Sequence, residues 1–306
     1  MYKKVLFMGT PDYATEIFKE LLNSKYDVVG LFTQPDKPVG RKQLITPPHI
    51  KQYCLDENID IPIFQPEKLR GNSEAFEQIE SLNPDFIVVA AYGQILPKLI
   101  LDIAPCINLH ASLLPKYRGA SPIQESLLND DEYTGVTAML MEEGLDSGDI
   151  LALQYLKITP TMEVKEAFDA LSLIAAKLTI TTLDNFEKIE PKKQNEAEVS
   201  FCKKIKKEDG LVDFSNAKKL FLKYKAYSFW PGIFLEFELK IKDIKLLDNT
   251  SSNKKGEILA LEENHIVVGC KKGKISIGII QAPSKKAVNA VDYIRGKRLN
   301  LGDILS

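Results

Sequence analysis

The chain has 306 residues, 44% hydrophobic and 27% charged, with a formal net charge of −2. That is the composition of a globular protein with a real core and enough length for two domains. No apolar run approaches the roughly 18–20 residues that span a bilayer, and the apolar run in MYKKVLFMGT ends at Gly9, too soon for a signal h-region. A cytoplasmic protein without a membrane partner is expected.

The first 160 residues alternate strand-like and helix-like stretches. VLFMG (5–9) reads as a first strand, and Thr10-Pro-Asp can open a helix that puts Ile17, Phe18, Leu21 and Leu22 on one face. Further strands are read at 27–33, 86–92, 107–112 and 135–141, with helices near 47–57, 73–82 and 122–129. FIVVAAY (86–92) is apolar throughout, as a strand covered on both faces should be. Such alternation predicts an α/β fold, an open, mainly parallel Rossmann-like sheet with helices on both faces. Ligands bind such sheets at the carboxyl ends of the strands.

A long helix capped by Thr161 is expected to reach about Lys188. The lysine-rich stretch 190–206 reads as a basic linker. Beyond it, Ser215 can cap a helix to Tyr227, closed by Trp230-Pro-Gly. FLEFEL, KIKDIKLL, GEILAL, HIVVGC and KISIGIIQA then read as strands, with KKGK at 271–274 as a hairpin turn. Several short strands in succession predict a small C-terminal OB-like β-barrel. The expected division is 1–189 for an α/β domain, 190–206 for the linker and 207–306 for the barrel.

Charge follows the same division. Residues 203–306 carry 21 Lys and Arg against 12 Asp and Glu, a net +9, while residues 1–202 carry 19 against 30, a net −11. A basic module on an acidic body suits a polyanion such as RNA. The cysteines, at 54, 106, 202 and 270, form no CxxC, and His49, His110 and His265 form no ligand pair, so buried thiols and no metal site are expected.

Two stretches carry chemistry. In CINLHASLLP, Asn108 and His110 stand two residues apart on a strand, so their side chains project to one face. The leucines of the following loop, Leu113 and Leu114, can form an apolar lip. In EEGLDSGDI, Gly144 and Gly148 bracket Asp146, which in one reading is only a turn residue and in the other is a carboxylate set against His110. There it would fix the ring's tautomer and stabilise the imidazolium. Asn, His and Asp together suit acyl transfer to an amine: an amide for the oxyanion, an imidazole for the proton. A nucleotide-dependent oxidoreductase is disfavoured, because MGTPDYA has one glycine where GxGxxG needs three. A non-enzymatic RNA-binding protein would leave the three polar residues idle.

The Asn-x-His strand, SLLPKYRGASP (112–122) and GLDSGDI (144–150) together resemble the folate-dependent formyltransferases. MGTPDYA (8–14), TQPDKPVGRK (33–42), FQPEKLR (64–70), AAYGQILPK (90–98) and FWPG (229–232) extend the resemblance over nearly the whole chain. It implies a one-carbon transferase that moves a formyl group from 10-formyltetrahydrofolate to the α-amino group of methionyl initiator tRNA, in support of translation initiation. Acceptors that share the chemistry are an amino-sugar nucleotide or glycinamide ribonucleotide. Carried over, Asn108, His110 and Asp146 are catalytic. Ser112, Leu113, Leu114 and Pro115 border the folate, and Ala90, Ala91, Tyr92, Leu140, Glu142 and Glu143 receive its pterin. Arg41 and Lys42, in a basic loop, together with Lys204, Lys206 and Lys207, meet the tRNA. Lys225, before the FWPG turn, keeps a charge for phosphate. A monomer without metal is expected.

Overall fold

The computed structural model describes residues 2–40 and 42–305, so the expectation for Arg41 lies outside the described residues. The chain forms two compact units. Unit 1 comprises 1–122, 133–157 and 168–202, and unit 2 comprises 123–132, 158–167 and 203–306.

The chain opens with β1 (Lys4–Gly9), α1 (Asp12–Leu22) and β2 (Asp27–Phe32). A hairpin of β3 (Lys37–Val39) and β4 (Leu44–Thr46) follows, then α2 (His49–Asp56), β5 (Ile63–Phe64) and α3 (Ser73–Leu82). Next come β6 (Phe86–Ala90), α4 (Lys98–Leu101), β7 (Cys106–His110), β8 (Arg118–Gly119) and α5 (Pro122–Leu128). Then come β9 (Tyr133–Leu140), β10 (Ile150–Lys157), α6 (Val164–Asn185) and β11 (Phe201–Cys202).

The main sheet of unit 1 has the order β10-β9-β7-β6-β1-β2-β5. The five strands from β7 to β5 are parallel, and β9 and β10 close the other edge antiparallel. All five residues of β6 are buried, as its unbroken apolar run requires. Strand periodicity separates two faces. Leu6, Met8, Ile87 and Val89 pack with Ile79 of α3 and Ile100 of α4. Phe7 instead meets Phe18 of α1, with ring centroids 5.4 Å apart, so helices do cover both faces. A Cβ placed on Gly9 would stand 2.6 Å from the Ala14 Cβ, so the single glycine of MGTPDYA lets α1 approach β1. The edge strand β10 has no counterpart among the expected strands. Its LALQYLK sequence alternates imperfectly, and most of its residues are exposed or half-buried.

Unit 2 contains α7 (Ala217–Tyr227), β12 (Ile233–Phe234), β13 (Lys240–Asp248), β14 (Ile258–Leu261), β15 (Ile266–Gly269), β16 (Lys274–Gln281), β17 (Val288–Asn289) and α8 (Ala290–Gly296). The sheet runs β12-β13-β16-β15-β14, with β17 also on β16, and its paired strands are antiparallel. Its core is the row of buried isoleucines Ile241, Ile244, Ile266, Ile275, Ile277 and Ile280. The expected barrel closure is not found: among the described residues β12 and β14 are the two ends of an open order.

The structure departs from local signals at three places. Of FLEFEL (234–239) only Phe234 lies in a strand, as the end of β12, because Leu235 turns back on Leu239 and Glu238 sits at φ 58°. Asn216, not Ser215, caps α7 by accepting from the Lys219 N–H, while the Ser215 hydroxyl donates to Asp213. The long helix starts at Val164 rather than Thr161, with the Glu166 carboxylate accepting from the Glu163 N–H.

Candidate active site

Strand β7 carries the first two groups. Its Cα register pairs Val89 of β6 with Asn108, and Met139 and Thr137 of β9 with Asn108 and His110. Both side chains are therefore held in the middle of the sheet, and both are more than nine-tenths buried. On the opposite face, Leu109 is buried and its carbonyl accepts the Tyr13 hydroxyl at 3.2 Å; burial pushes that phenol far above its ordinary pKa. Burial likewise pushes the Cys106 thiol, at the start of β7, up to about 12.

Asp146 joins them from the loop between β9 and β10. Its backbone is left-handed, at φ 48°, a costly conformation for a non-glycine residue. A Cβ on Gly148 would clash with the Leu140 carbonyl oxygen, so only glycine permits this tight return. The carboxylate is held at both oxygens. Oδ1 accepts from Asn108 Nδ2 at 3.3 Å, and Oδ2 accepts from the Gly119 backbone N–H at 2.9 Å. Oδ2 also lies 3.6 Å from His110 Nδ1, an ion-pair distance rather than a hydrogen bond.

The other ring nitrogen decides the tautomer. His110 Nε2 lies 2.9 Å from the Tyr117 carbonyl oxygen. A carbonyl can only accept, so Nε2 carries the proton and Nδ1 keeps the lone pair in the neutral ring. The expectation from sequence gives tautomer control to Asp146; in the structure the Tyr117 carbonyl exerts it. What Asp146 can do is accept charge, because only the doubly protonated ring donates toward both Tyr117 and Asp146. The Asn108 amide is oriented by the same logic, since its nitrogen, not its oxygen, must face a carboxylate. One amide proton goes to Asp146, which leaves the second for a ligand.

The loop after β7 is pinned rather than open. The Ser112 hydroxyl donates to the Lys116 carbonyl at 2.6 Å, and the Thr137 hydroxyl donates to the Ser112 carbonyl while accepting the Leu114 N–H. The Leu114–Pro115 peptide is cis. Leu114 is buried, and Leu113 is half-buried over Gly135, where an added Cβ would stand 2.5 Å from its Cδ2. Of the expected two-leucine lip, then, only part of Leu113 is open.

The other residues expected near a ligand come from segments next to β7. Ala90 ends β6, followed by Ala91 at φ 45° and the buried Tyr92. The Tyr92 carbonyl already accepts from Thr10 and Gln34. With Ser112–Pro115 this group lies toward the carboxyl end of β7. Leu140 pairs with Ile107 at the end of β9, and Glu142, which accepts the Ser147 hydroxyl at 2.6 Å, and Glu143 follow it in the loop that carries Asp146.

Further residues that sequence reasoning does not single out complete the site. Stretch 192–202, expected within a linker, belongs to unit 1. There Gln194 is buried, and Phe201 and Cys202 pair as β11 with Arg118 and Gly119 of β8. Gln194 Nε2 donates to the carbonyls of Asp146 and Gly148, both at 2.8 Å, and its Oε1 accepts from Arg118 Nε at 3.0 Å. Arg118 is 4% exposed and also donates to Glu196 at 2.8 Å. Ser200 accepts the Tyr117 N–H on its hydroxyl and the Arg118 N–H on its carbonyl. The alternation of Val199, Ser200, Phe201 and Cys202 is the available signal of a strand here.

The basic residues are placed as follows. Lys42 is exposed in unit 1, between β3 and β4. Lys204, Lys206 and Lys207 are exposed in unit 2, where Lys207 lies 3.5 Å from Glu238. Lys225 does not face solvent: it is 2% exposed, and its ammonium donates to the Pro160 carbonyl at 3.2 Å. No group of three or more metal-ligating side chains occurs among the described residues, and no helix among them is long and apolar enough to cross a membrane.

Comparison with known proteins points to one family. A formyl transferase model matches residues 3–183, and a formyl transferase C-terminal domain model matches 204–298. The chain is 57% identical over 300 residues to the methionyl-tRNA formyltransferase of Nitratiruptor sp., covering 98% of this chain and 99% of that one. It is 54% identical to the enzyme of that name from Wolinella succinogenes, over 99% of each. Among solved structures it resembles HypX from Aquifex aeolicus in complex with tetrahydrofolic acid, at 16% identity and TM-score 0.66 over 96% of this chain and 47% of that one. It also resembles an N-formyltransferase from Helicobacter canadensis in complex with folinic acid and dTDP-3-aminofucose, at 17% identity and TM-score 0.69 over 92% of this chain and all of that one.

Proposed function

The chain belongs to the formyl transferase family, and from that premise we propose that it transfers a formyl group from 10-formyltetrahydrofolate to the α-amino group of methionyl initiator tRNA. One observation carries the chemistry: Asn108, His110 and Asp146 meet around one point at the centre of the sheet. The acceptor is supported by the high identity to two methionyl-tRNA formyltransferases over nearly full length, and by the net +9 of residues 203–306.

In this reading the formyl carbon lies beside Asn108 and His110. The neutral amine attacks it directly, a carbon–nitrogen bond forms, and the carbonyl electrons move to oxygen. The free N–H of Asn108 donates to that oxyanion; losing one such donor typically costs about 10²–10³ in rate. His110 Nδ1 accepts the proton that the amine sheds, and Asp146 balances the resulting charge. His110 then returns the proton to the folate nitrogen as its bond to the formyl carbon breaks, which leaves tetrahydrofolate and a formylated amine. Tyr117 keeps Nε2 occupied throughout, so Nδ1 alone exchanges protons.

The folate donor would lie against β7, with Ala90–Tyr92, Leu140, Glu142 and Glu143 around its pterin and Ser112–Pro115 bordering it. For the tRNA, Arg41, Lys42, Lys204, Lys206 and Lys207 are the proposed contacts. Residues 207–306 are the proposed tRNA-binding domain, in OB-like form. The test is transfer of labelled formyl from 10-formyltetrahydrofolate to charged initiator tRNA, beside charged elongator tRNA and a dTDP-amino sugar. Initiator tRNA is expected to be formylated far faster than either. Equal or greater transfer to the amino sugar would overturn the choice of acceptor.

A further inference from the structure

We propose that Gln194 is a positioning residue for formyl transfer, acting through the strap 194–202 that holds both partners of His110. The inference rests on the reading that His110 and Asp146 work in the reaction.

The Asp146 loop has reason to relax. Asp146 sits in left-handed backbone, and the loop returns through glycines on either side. Gln194 spans that return by donating one amide proton to the Asp146 carbonyl and the other to the Gly148 carbonyl. Its oxygen is engaged by the buried Arg118. Both protons and the oxygen are therefore committed, which leaves this amide one orientation.

The chain then delivers the second restraint from the same strap. Arg118 precedes Gly119, whose N–H holds the Asp146 carboxylate. Ser200 binds the N–H of Tyr117 and of Arg118, and Tyr117 presents its carbonyl to His110 Nε2. Cys202 continues the pairing, with its carbonyl accepting the Ala120 N–H. One short segment thus sets where Asp146 stands and which His110 nitrogen is protonated, while touching neither reacting atom.

The discriminating substitution is Gln194→Glu. It keeps an acceptor for Arg118, and adds opposite charge there, so the fold should persist. It also sets a carboxylate oxygen against two carbonyl oxygens, which should push the Asp146 loop away from His110. In the full chain, with 10-formyltetrahydrofolate and charged initiator tRNA, kcat is expected to fall about 10–100-fold, in line with an ångström-scale misplacement of a reacting group. KM for either substrate should change less than threefold, with the variant still folded at the assay temperature by circular dichroism. With the carboxylate that faces His110 moved, the kcat–pH profile should be displaced from the parental one. Gln194→Met, which removes all three hydrogen bonds, is the second variant, expected to match that kcat loss and that displacement.

Parental kcat and an unmoved pH profile in both variants would overturn the proposal. So would a kcat loss that merely follows a loss of folded protein, with the remaining enzyme showing the parental profile. His110→Ala, run in parallel, separates the two readings. If His110→Ala is inactive while the Gln194 variants behave as parent, only the positioning role fails. If His110→Ala turns over normally, the reading of the site itself fails.

Discussion

The two units use polar residues in opposite ways. In unit 1 the polar groups of the site are buried or half-buried and committed to partners far away in sequence: Asn108 to Asp146, Gly119 to Asp146, Gln194 to Asp146, Tyr117 to Ser200. In unit 2 the sheet core is a run of isoleucines, and most lysines stand exposed at the surface. Buried polar networks in low dielectric are costly to break and hold atoms in one place. Exposed charges are screened, cheap to replace and suited to a large polyanion. A reacting carbon needs the first arrangement, and a phosphate backbone needs only the second.

The contrast yields a graded set of expectations. His110→Ala should lower kcat by about 10³-fold or more, because it removes both the proton acceptor and the partner of Asp146, with circular dichroism unchanged. Asn108→Ala should lower it by about 10²–10³. Retained turnover in single-turnover assays of either variant would dissolve the distinction drawn for unit 1. Next, Arg118→Met should lower unfolding free energy by about 1–3 kcal/mol by leaving the buried Gln194 oxygen without its donor, measurable by urea denaturation. The exposed Glu196 that it also frees should contribute little.

Smaller effects belong to unit 2. Replacing Lys204, Lys206 and Lys207 together by alanine should raise KM for charged tRNA about tenfold, and the salt dependence of tRNA binding should flatten by roughly 0.7–0.9 log units per decade for each lysine–phosphate pair removed. Unfolding free energy should stay within about 0.5 kcal/mol. An unchanged salt slope would remove these lysines from the tRNA surface. The smallest effect concerns Lys225, whose burial breaks the pattern of this region. Burial holds its pKa below the ordinary lysine value. The unfolded chain therefore binds the proton more tightly, so stability should rise with pH as the window from the lowered pKa to the ordinary lysine value is crossed. Lys225→Met should abolish that rise, which thermal melts across the neutral to alkaline range would detect.

Much of this is legible in sequence where short-range physics decides. The apolar run of β6, the helix at 73–82 and the paired Asn108 and His110 follow from periodicity and alternation within a few residues. Caps one residue off, as with Ser215 and Asn216, reflect two neighbouring side chains able to make the same bond. The lysine-rich 190–206 stretch misleads because composition registers its solvent-facing majority, whereas its role depends on Gln194 and Ser200. Closure of the unit 2 sheet depends on whether distant edge strands meet, which alternation within each strand does not encode.

By itself, the sequence determined the central strands and most helices, their apolar faces, the charge asymmetry and the residue types available for acyl transfer, because these depend on neighbours within a turn of helix or a length of strand. Tertiary structure alone decided which His110 nitrogen bears the proton, that Asp146 is held by backbone N–H and amide partners, and that a polar stretch near residue 200 folds back against residue 118. Hydrogen bonds between groups dozens of residues apart have no local pattern. They exist only once the sheet has brought those groups within about 3 Å of one another.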